Sequence, residues 1–186
     1  YTGDFISYES NQQIEQLRTV LKASHLKGKY GNIAVLGNHD YGHKWSQQGV
    51  ADLVTQSLEL AEITVLSNDQ KSIEGLNFIG MDDYWAINFN PKKALNNYDP
   101  SLANLVLCHN PDVCDLDVWG NYKGWILSGH THGGQVKPPF LTPPLLPVKN
   151  KEYTSGRFDL ANGKTLYINR ALGHLHQVRF NVRPEI

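Results

Sequence analysis

Four short polar segments carry most of the side chains that could perform chemistry in this chain of 186 residues. Together they hold carboxylates, imidazoles and a carboxamide but no thiolate, a donor set that suits ions such as manganese, iron or zinc. Each segment stands where a predicted strand ends, and α/β sheets present ligand sites at the carboxyl ends of their strands. We therefore predict that the segments converge on one metal site. They are Gly3-Asp4, Gly37-Asn38-His39-Asp40, His109-Asn110 and Gly129–Gln135.

The two longer segments make this prediction specific. Taken alone, Gly3-Asp4 or His109 is typical of an ordinary turn or of a satisfied polar residue. A fixed tetrapeptide such as GNHD occurs by chance in roughly one chain in a thousand of this length. Its combination with GHTHGGQ, in this order, favours a metal site. His130 and His132, two residues apart in an extended loop, can point towards two neighbouring ions.

The hydrophobic pattern predicts an α/β fold with two packed β-sheets flanked by helices, in a single domain spanning residues 1–186. Apolar positions at helical spacing predict helices over residues 11–24 and 50–60. Five proline residues at 138–147 predict a loop, because proline lacks a backbone donor. An Asn-Gly pair at 162–163 predicts a hairpin. The predicted strands cover residues 33–36, 63–66, 76–81, 102–108, 125–127, 153–160, 164–169 and 176–182.

Composition narrows the choice of partners. Lys and Arg number 17 and Asp and Glu number 18, which gives a net charge of −1. This balance argues against nucleic acid as the main partner. No stretch approaches the roughly 18 apolar residues that a membrane-spanning helix needs.

The motifs resemble a known family. Gly3-Asp4, Gly37–Asp40, His109 and Gly129–His132 match the second to fifth motifs of the calcineurin-like metallophosphoesterase superfamily, and the chain looks like its YkuE/YaeI-like bacterial phosphohydrolase branch. The first motif of that superfamily, Asp-x-His, does not occur in the sequence. We therefore expect an N-terminally truncated domain in which the first strand is missing.

The resemblance implies a metal-dependent phosphoester hydrolase that acts on a phosphomonoester, a phosphodiester or a pyrophosphate at a site for two divalent ions (Mn, Fe, Zn or similar). It implies that His39 is the general acid and that Asp40 orients its ring. Because the first motif would supply two ligands to one ion, we expect that ion to be weakly held or absent in this chain. The implied metal ligands are Asp4, shared by both ions; Asn38, His109 and His130 for one ion; and His132 for the other.

Several assignments remain open at this stage. The alternative to an enzyme is a catalytically inactive metal-binding scaffold, but a scaffold would not need His39. Asp82 and Asp83 could line the substrate cleft or form an ordinary turn, and Arg170 could bind a phosphate oxygen or form a structural ion pair. The histidines of Gly173–His176 are expected to be structural.

Two further expectations concern the substrate and its location. Residues 136–148 are rich in proline and apolar residues, so they could cap the core or form an apolar lip beside the site. A lip would suit a small phosphorylated substrate that is lipid-linked, and would bring contact with a membrane. We expect the protein to be cytoplasmic or peripheral to a bacterial inner membrane.

Overall fold

The computed structural model describes residues 1–174 and 178–186. Its helices are α1 (Asn11–Ser24), α2 (Gln48–Glu59) and α3 (Pro91–Leu95). Its strands are β1 (Asn32–Ala34), β2 (Ile63–Val65), β3 (Asp69–Ile73), β4 (Leu76–Gly80), β5 (Ala103–Leu107), β6 (Gly124–Ser128), β7 (Gly156–Asp159) and β8 (Lys164–Ile168).

The strands form two sheets. The parallel pair β1–β2 makes the smaller sheet, and the larger has the order β3-β4-β5-β6-β8-β7. The central strands β4, β5, β6 and β8 run parallel, whereas β3 and β7 are antiparallel edges. Tyr1 exchanges hydrogen bonds with Ile33 and Val35, so the first residue pairs alongside β1. The parallel arrangement brings the carboxyl ends of β4, β5, β6 and β8 to one edge.

Successive residues of a strand point to opposite faces of its sheet, and both faces carry apolar side chains. The result is four layers, with the two sheets in the middle and one covering layer on each outer face. Neighbouring residues of β5 face opposite ways: Leu107 packs against Val35 between the sheets, whereas Val106 packs on the outer face of the larger sheet. The outer face of the smaller sheet is covered by α1 and α2, with Leu17 and Leu58 in its core. The predicted fold class, two sheets flanked by helices, is thus confirmed. No helix in the described ranges is both long and apolar enough to cross a membrane.

Most predicted elements are present with shifted ends, but three regions differ. The edge strand β3 and the five-residue helix α3 were not predicted. The predicted strand over residues 176–182 is wrong where the structure describes it: residues 178–182 contain only a single parallel bridge, between Phe180 and Val136. Residues 176 and 177 lie outside the described ranges.

Candidate metal centre

Asp4, His109 and His130 form a compact cluster at the carboxyl ends of β5 and β6. The Nε2 atom of His109 lies 3.1 Å from Asp4 Oδ2 and 3.1 Å from His130 Nδ1. One potential ligand atom of each residue lies within 4.8 Å of the other two. The structure therefore brings together three of the five residues predicted to bind metal.

Close approach of two loops builds this cluster. A Cβ atom on Gly37 would lie 2.3 Å from Asp4 Oδ1, and one on Gly3 would lie 2.4 Å from the Gly37 nitrogen. Such distances are far inside van der Waals contact, so both positions require glycine. Gly3 also has a φ of 91°, in the region that glycine adopts most readily. The glycine residues let the Asp4 loop lie directly on the loop that carries Asn38.

Backbone carbonyls fix which ring nitrogen of each histidine faces the cluster. His109 Nδ1 hydrogen-bonds to the carbonyl oxygen of Thr2, and His130 Nε2 to that of Pro147, at 2.9 Å. A carbonyl oxygen only accepts, so both of these nitrogens carry the proton. In neutral rings the lone pairs then belong to His109 Nε2 and His130 Nδ1, which face each other and Asp4. With both rings neutral, three electron-pair donors face one another, an arrangement that fits a cation.

Electrostatics within the cluster support the same conclusion. Burial raises the pKa of Asp4, but the adjacent His109 outweighs burial and holds this pKa well below its usual range. Burial lowers the pKa of His109, yet the Asp4 charge reverses the shift and raises the pKa to about 9. Burial and the neighbouring His109 charge lower the pKa of His130 to about 3. In the absence of metal, a proton on His109 neutralises Asp4, in the place that a cation would take.

Asn38 contributes a buried acceptor without a partner. It opens a short 3-10 turn, Asn38–Tyr41, directly after Gly37. Its Oδ1 atom is buried and accepts no hydrogen bond from the described part of the chain. Buried polar atoms are normally paired, so an orphan acceptor beside the cluster fits a metal ligand.

His132 lies outside the three-residue cluster. Its Nδ1 atom is 3.2 Å from the carbonyl oxygen of Gly173, and its ring is half-buried. Burial lowers its pKa, and because Nδ1 donates to this carbonyl, the lone pair of the neutral ring lies on Nε2. His132 therefore has a ring nitrogen that could bind metal, but it does not lie within the cluster of Asp4, His109 and His130. In the similar pattern further along, His174 is exposed, whereas His176 lies outside the described ranges.

The predicted relation between His39 and Asp40 requires correction. The His39 ring bonds through Nδ1 to the carbonyl oxygen of Ser7, at 2.7 Å. The carboxylate of Asp40 instead accepts four backbone N–H groups, from Asp4, Phe5, Ile6 and Gly37, at 2.8 to 3.2 Å. Asp40 therefore ties the two metal-binding loops together, and Ser7 orients the ring. Burial and the charge of Asp4 both raise the pKa of Asp40.

Of the residues predicted to bind substrate, Asp82 and Asp83 are buried and Arg170 is paired with an acidic residue. Asp82 is fully buried and accepts hydrogen bonds from Tyr41 and, at 2.6 Å, from Ser67. Asp83 is also buried; one oxygen accepts from the Trp85 nitrogen at 2.9 Å, and the other has no partner among residues 1–174 and 178–186. The Nε atom of Arg170 lies 3.0 Å from Glu185 Oε2, which favours the structural ion pair over phosphate binding.

The proline-rich loop combines both proposed roles. Leu146 and Val148 are buried, whereas Phe140, Leu141 and Leu145 are exposed. Its second half, Pro144–Pro147, lines a cavity of about 290 Å³ together with Thr131, His132 and Gln135. The loop is thus anchored in the core and presents apolar surface next to a predicted metal ligand.

Two features of the site were not anticipated from the sequence. The three orienting carbonyls, of Thr2, Ser7 and Pro147, carry no sequence signal, because every residue has a carbonyl group. Trp45 and Trp85 contact the rings of His39 and His130, respectively. The only sequence signal for these two tryptophan residues was their position, shortly after GNHD for Trp45 and shortly after Asp82-Asp83 for Trp85.

Comparison with known proteins gives the family. No protein-family model matches the chain. The whole chain is 30% identical to UDP-2,3-diacylglucosamine pyrophosphatase LpxG of Chlamydia muridarum, of which it covers 71%, and 34% identical to the metallophosphoesterase YkoQ of Bacillus subtilis, of which it covers 68%. The chain belongs to the calcineurin-like metallophosphoesterase family. Phosphodiesterase YaeI of Escherichia coli is 31% identical over 99% of the chain and 66% of its own length.

Membership of the metallophosphoesterase family has two consequences. The chain is a hydrolase of phosphate esters or pyrophosphates, and its activity depends on divalent metal. The substrate is accordingly a phosphorylated compound. The chain spans about two thirds of the length of these bacterial relatives.

Proposed function

We propose that this metallophosphoesterase uses two divalent ions (Mn, Fe, Zn or similar) and a histidine general acid within one domain. The proximity of Asp4, His109 and His130, with His109 Nε2 and His130 Nδ1 both turned towards the cluster, carries this proposal. Asn38 would add its orphan oxygen to the same ion. His132, with Asp4, would serve the second ion.

Bound divalent ions would polarise the phosphoryl group and lower the pKa of a water molecule that attacks phosphorus. The remaining chemistry falls to His39. Its Nδ1 proton donates to the Ser7 carbonyl, which directs Nε2 away from that contact. When Nε2 is also protonated, it can donate to the departing oxygen. The backbone nitrogen of His39 donates to Asp4 Oδ1 at 3.0 Å, which couples the position of the acid to that of the metal ligand.

The alternative of an inactive scaffold is tested by separating catalysis from metal binding. His39→Ala should lower kcat about 10²–10⁴-fold, the usual contribution of a general acid, with metal content unchanged. The loss should shrink for nitrophenyl esters, whose leaving group needs no proton. His130→Ala should instead remove metal, as elemental analysis would show.

His25→Asn provides the matched control. His25 is exposed at the end of α1 with a φ of 47°, a conformation that Asn tolerates, so this variant should keep both metal and activity. Equal metal loss in His39→Ala and His130→Ala would contradict the division of roles. Full activity of His39→Ala on an alkyl ester would exclude His39 as the general acid.

We propose further that the substrate is lipid-linked and that the enzyme works at a membrane surface, peripheral to a bacterial inner membrane. Phe140, Leu141 and Leu145 are exposed on the loop whose second half borders His132. The relative LpxG is named for a diacylated sugar nucleotide. Insertion of one such side chain into lipid contributes about 1.5–3 kcal/mol.

The paired change Phe140→Ser and Leu141→Ser tests this proposal. Liposome affinity and activity on an acylated substrate should fall at least about tenfold, while melting temperature and nitrophenyl phosphate turnover are preserved. Leu26→Ser with Leu60→Ser is the control, since both side chains are exposed and line a different cavity. Equal liposome binding by both pairs, or a large fall in melting temperature for the loop pair, would refute the proposal that the loop contacts lipid.

A further inference from the structure

A row of aromatic rings runs from the proposed general acid to the metal cluster. The rings of His39 and Trp45 meet edge-on with centroids 4.9 Å apart. Trp45 and Trp85 are stacked at 6.3 Å with an angle of 28° between their planes. Trp85 then meets His130 edge-on at 4.6 Å. Two tryptophan residues therefore span the distance between the two histidines with different proposed roles.

The tryptophan side chains are only partly covered. Trp85 keeps 36% of its surface exposed, and Trp45 is half-buried against the core beneath α2. Trp45 and the preceding Lys44 both have left-handed backbone conformations, with φ of 57° and 53°. Residues other than glycine adopt this region at a cost, and such strain concentrates at binding sites. The chain thus holds a large aromatic ring beside His39 in a conformation that is intrinsically disfavoured.

A cavity of about 320 Å³ adjoins this ring. Tyr8, His39 and Trp45 contribute rings to its lining. Glu9, His43 and Lys44 contribute polar groups to the same lining, and all three are exposed. The cavity shares no lining residue with the apolar cavity beside His132. It therefore offers an aromatic face together with hydrogen-bond donors and an acceptor at the rim.

We propose that this cavity is the leaving-group subsite and that it binds a flat heteroaromatic ring, such as the base of a nucleotide, against Trp45. The assignment to the leaving group rests on the proposed role of His39, because the group that receives its proton must lie beside it. A nucleobase has a π-face for stacking and an edge that carries both carbonyl and N–H groups. Lys44 can donate to such a carbonyl, and Glu9 can accept from such an N–H.

Competitive inhibition by two phosphate monoesters tests the subsite. Uridine monophosphate and ribose 5-phosphate share the phosphate and the ribose. Contacts with metal therefore cancel in the ratio of their inhibition constants. Stacking of one base is worth about 5- to 150-fold in affinity. In wild type, uridine monophosphate should therefore inhibit bis-nitrophenyl phosphate hydrolysis at least about fivefold more strongly than ribose 5-phosphate. Trp45→Ala should make the two phosphates inhibit equally, and Trp45→Phe should largely restore the preference for uridine monophosphate.

Trp125→Ala is the matched control. Trp125 is 44% exposed, more than the half-buried Trp45, and lies near the start of β6, at the opposite end of the strand from His130, so its loss should leave the ratio unchanged. Calorimetric titration of metal-loaded protein with both phosphates gives the same ratio without catalysis. If wild type is inactive but binds the nucleotide preferentially, the proposed function fails and the subsite stands. Equal affinities in wild type, or equal weakening of both ligands in Trp45→Ala, would overturn the aromatic subsite.

Discussion

Replacement of Asn38 by leucine should stabilise the metal-free protein while weakening metal binding. Asn38 is 2% exposed, and its Oδ1 has no hydrogen-bond partner in the described ranges. A buried acceptor left unsatisfied costs about 1–3 kcal/mol. Leucine has the same branched outline and the same number of side-chain heavy atoms as asparagine, and accommodating its bulkier methyl groups costs about 1 kcal/mol. In the presence of a chelator we therefore expect Asn38→Leu to raise the free energy of unfolding by about 0–2 kcal/mol.

The opposite result is expected when metal is present. Metal at a thousand times its dissociation constant stabilises the folded protein by about 4 kcal/mol. If the loss of one ligand weakens binding a hundredfold, the same metal concentration stabilises Asn38→Leu by only about 1.4 kcal/mol. The variant should thus gain less than half as much from metal as the wild type gains. Urea denaturation with a chelator and with Mn²⁺ measures both quantities, and elemental analysis gives the metal content.

Asn77 provides a control with the same side chain and similar burial. It is 4% exposed, and its amide donates to Gln70 and to Asn104 at 3.0 Å each, while its oxygen accepts from Ser72 at 3.1 Å. Asn77→Leu leaves these partners without their hydrogen bonds, so it should destabilise the protein by more than about 2 kcal/mol with or without metal. If Asn38→Leu destabilises the chelated protein as much as Asn77→Leu does, and metal affinity is unchanged, Asn38 is structural and the reasoning is wrong.

Two further predictions concern the surroundings of the cluster. Burial raises the pKa of Asp83 to about 6, so the folded state holds its proton more tightly than the unfolded state. In chelated protein, raising the pH from 4 to 7 should therefore cost wild type about 2 kcal/mol of unfolding free energy relative to Asp83→Asn; parallel stability curves would refute this. Gly37→Ala should abolish metal binding, because its Cβ would lie 2.3 Å from Asp4 Oδ1. Gly49→Ala, in open space within α2, should bind metal normally and be slightly more stable; metal retention by both variants would contradict the close approach of the loops.

The core strands and the residues that follow them could be predicted because burial leaves a clear pattern. The apolar segments predicted as strands became β5 and β6, which end two residues before His109 and two residues before His130, and parallel pairing places both ends together. The edge strand β3 was missed because its sequence, DQKSI, is mostly polar and four of its five residues carry polar side chains. A polar edge protects a sheet from unwanted pairing, so such strands lack the signal that identifies buried ones.

Asp40 shows a different limit of sequence reasoning. The family resemblance implied that Asp40 orients the His39 ring, yet its four hydrogen bonds go to backbone nitrogens, three of them in residues 4–6. Backbone donors are invisible in a sequence because nearly every residue has one. The carboxylate was correctly placed in the site, but its partners depended on the approach of two loops that are more than 30 residues apart in sequence.

The same limit applies to the histidine tautomers, and there it has chemical consequences. His109 is held through Nδ1 and faces the cluster with Nε2, whereas His130 is held through Nε2 and faces it with Nδ1. Opposite ring nitrogens are selected by one physical rule, because each carbonyl can only accept. The carbonyl that selects Nδ1 of His130 belongs to Pro147, between the buried Leu146 and Val148. The proline-rich loop therefore positions a proposed metal ligand through its anchored end, while Phe140 and Leu141 at its other end are exposed.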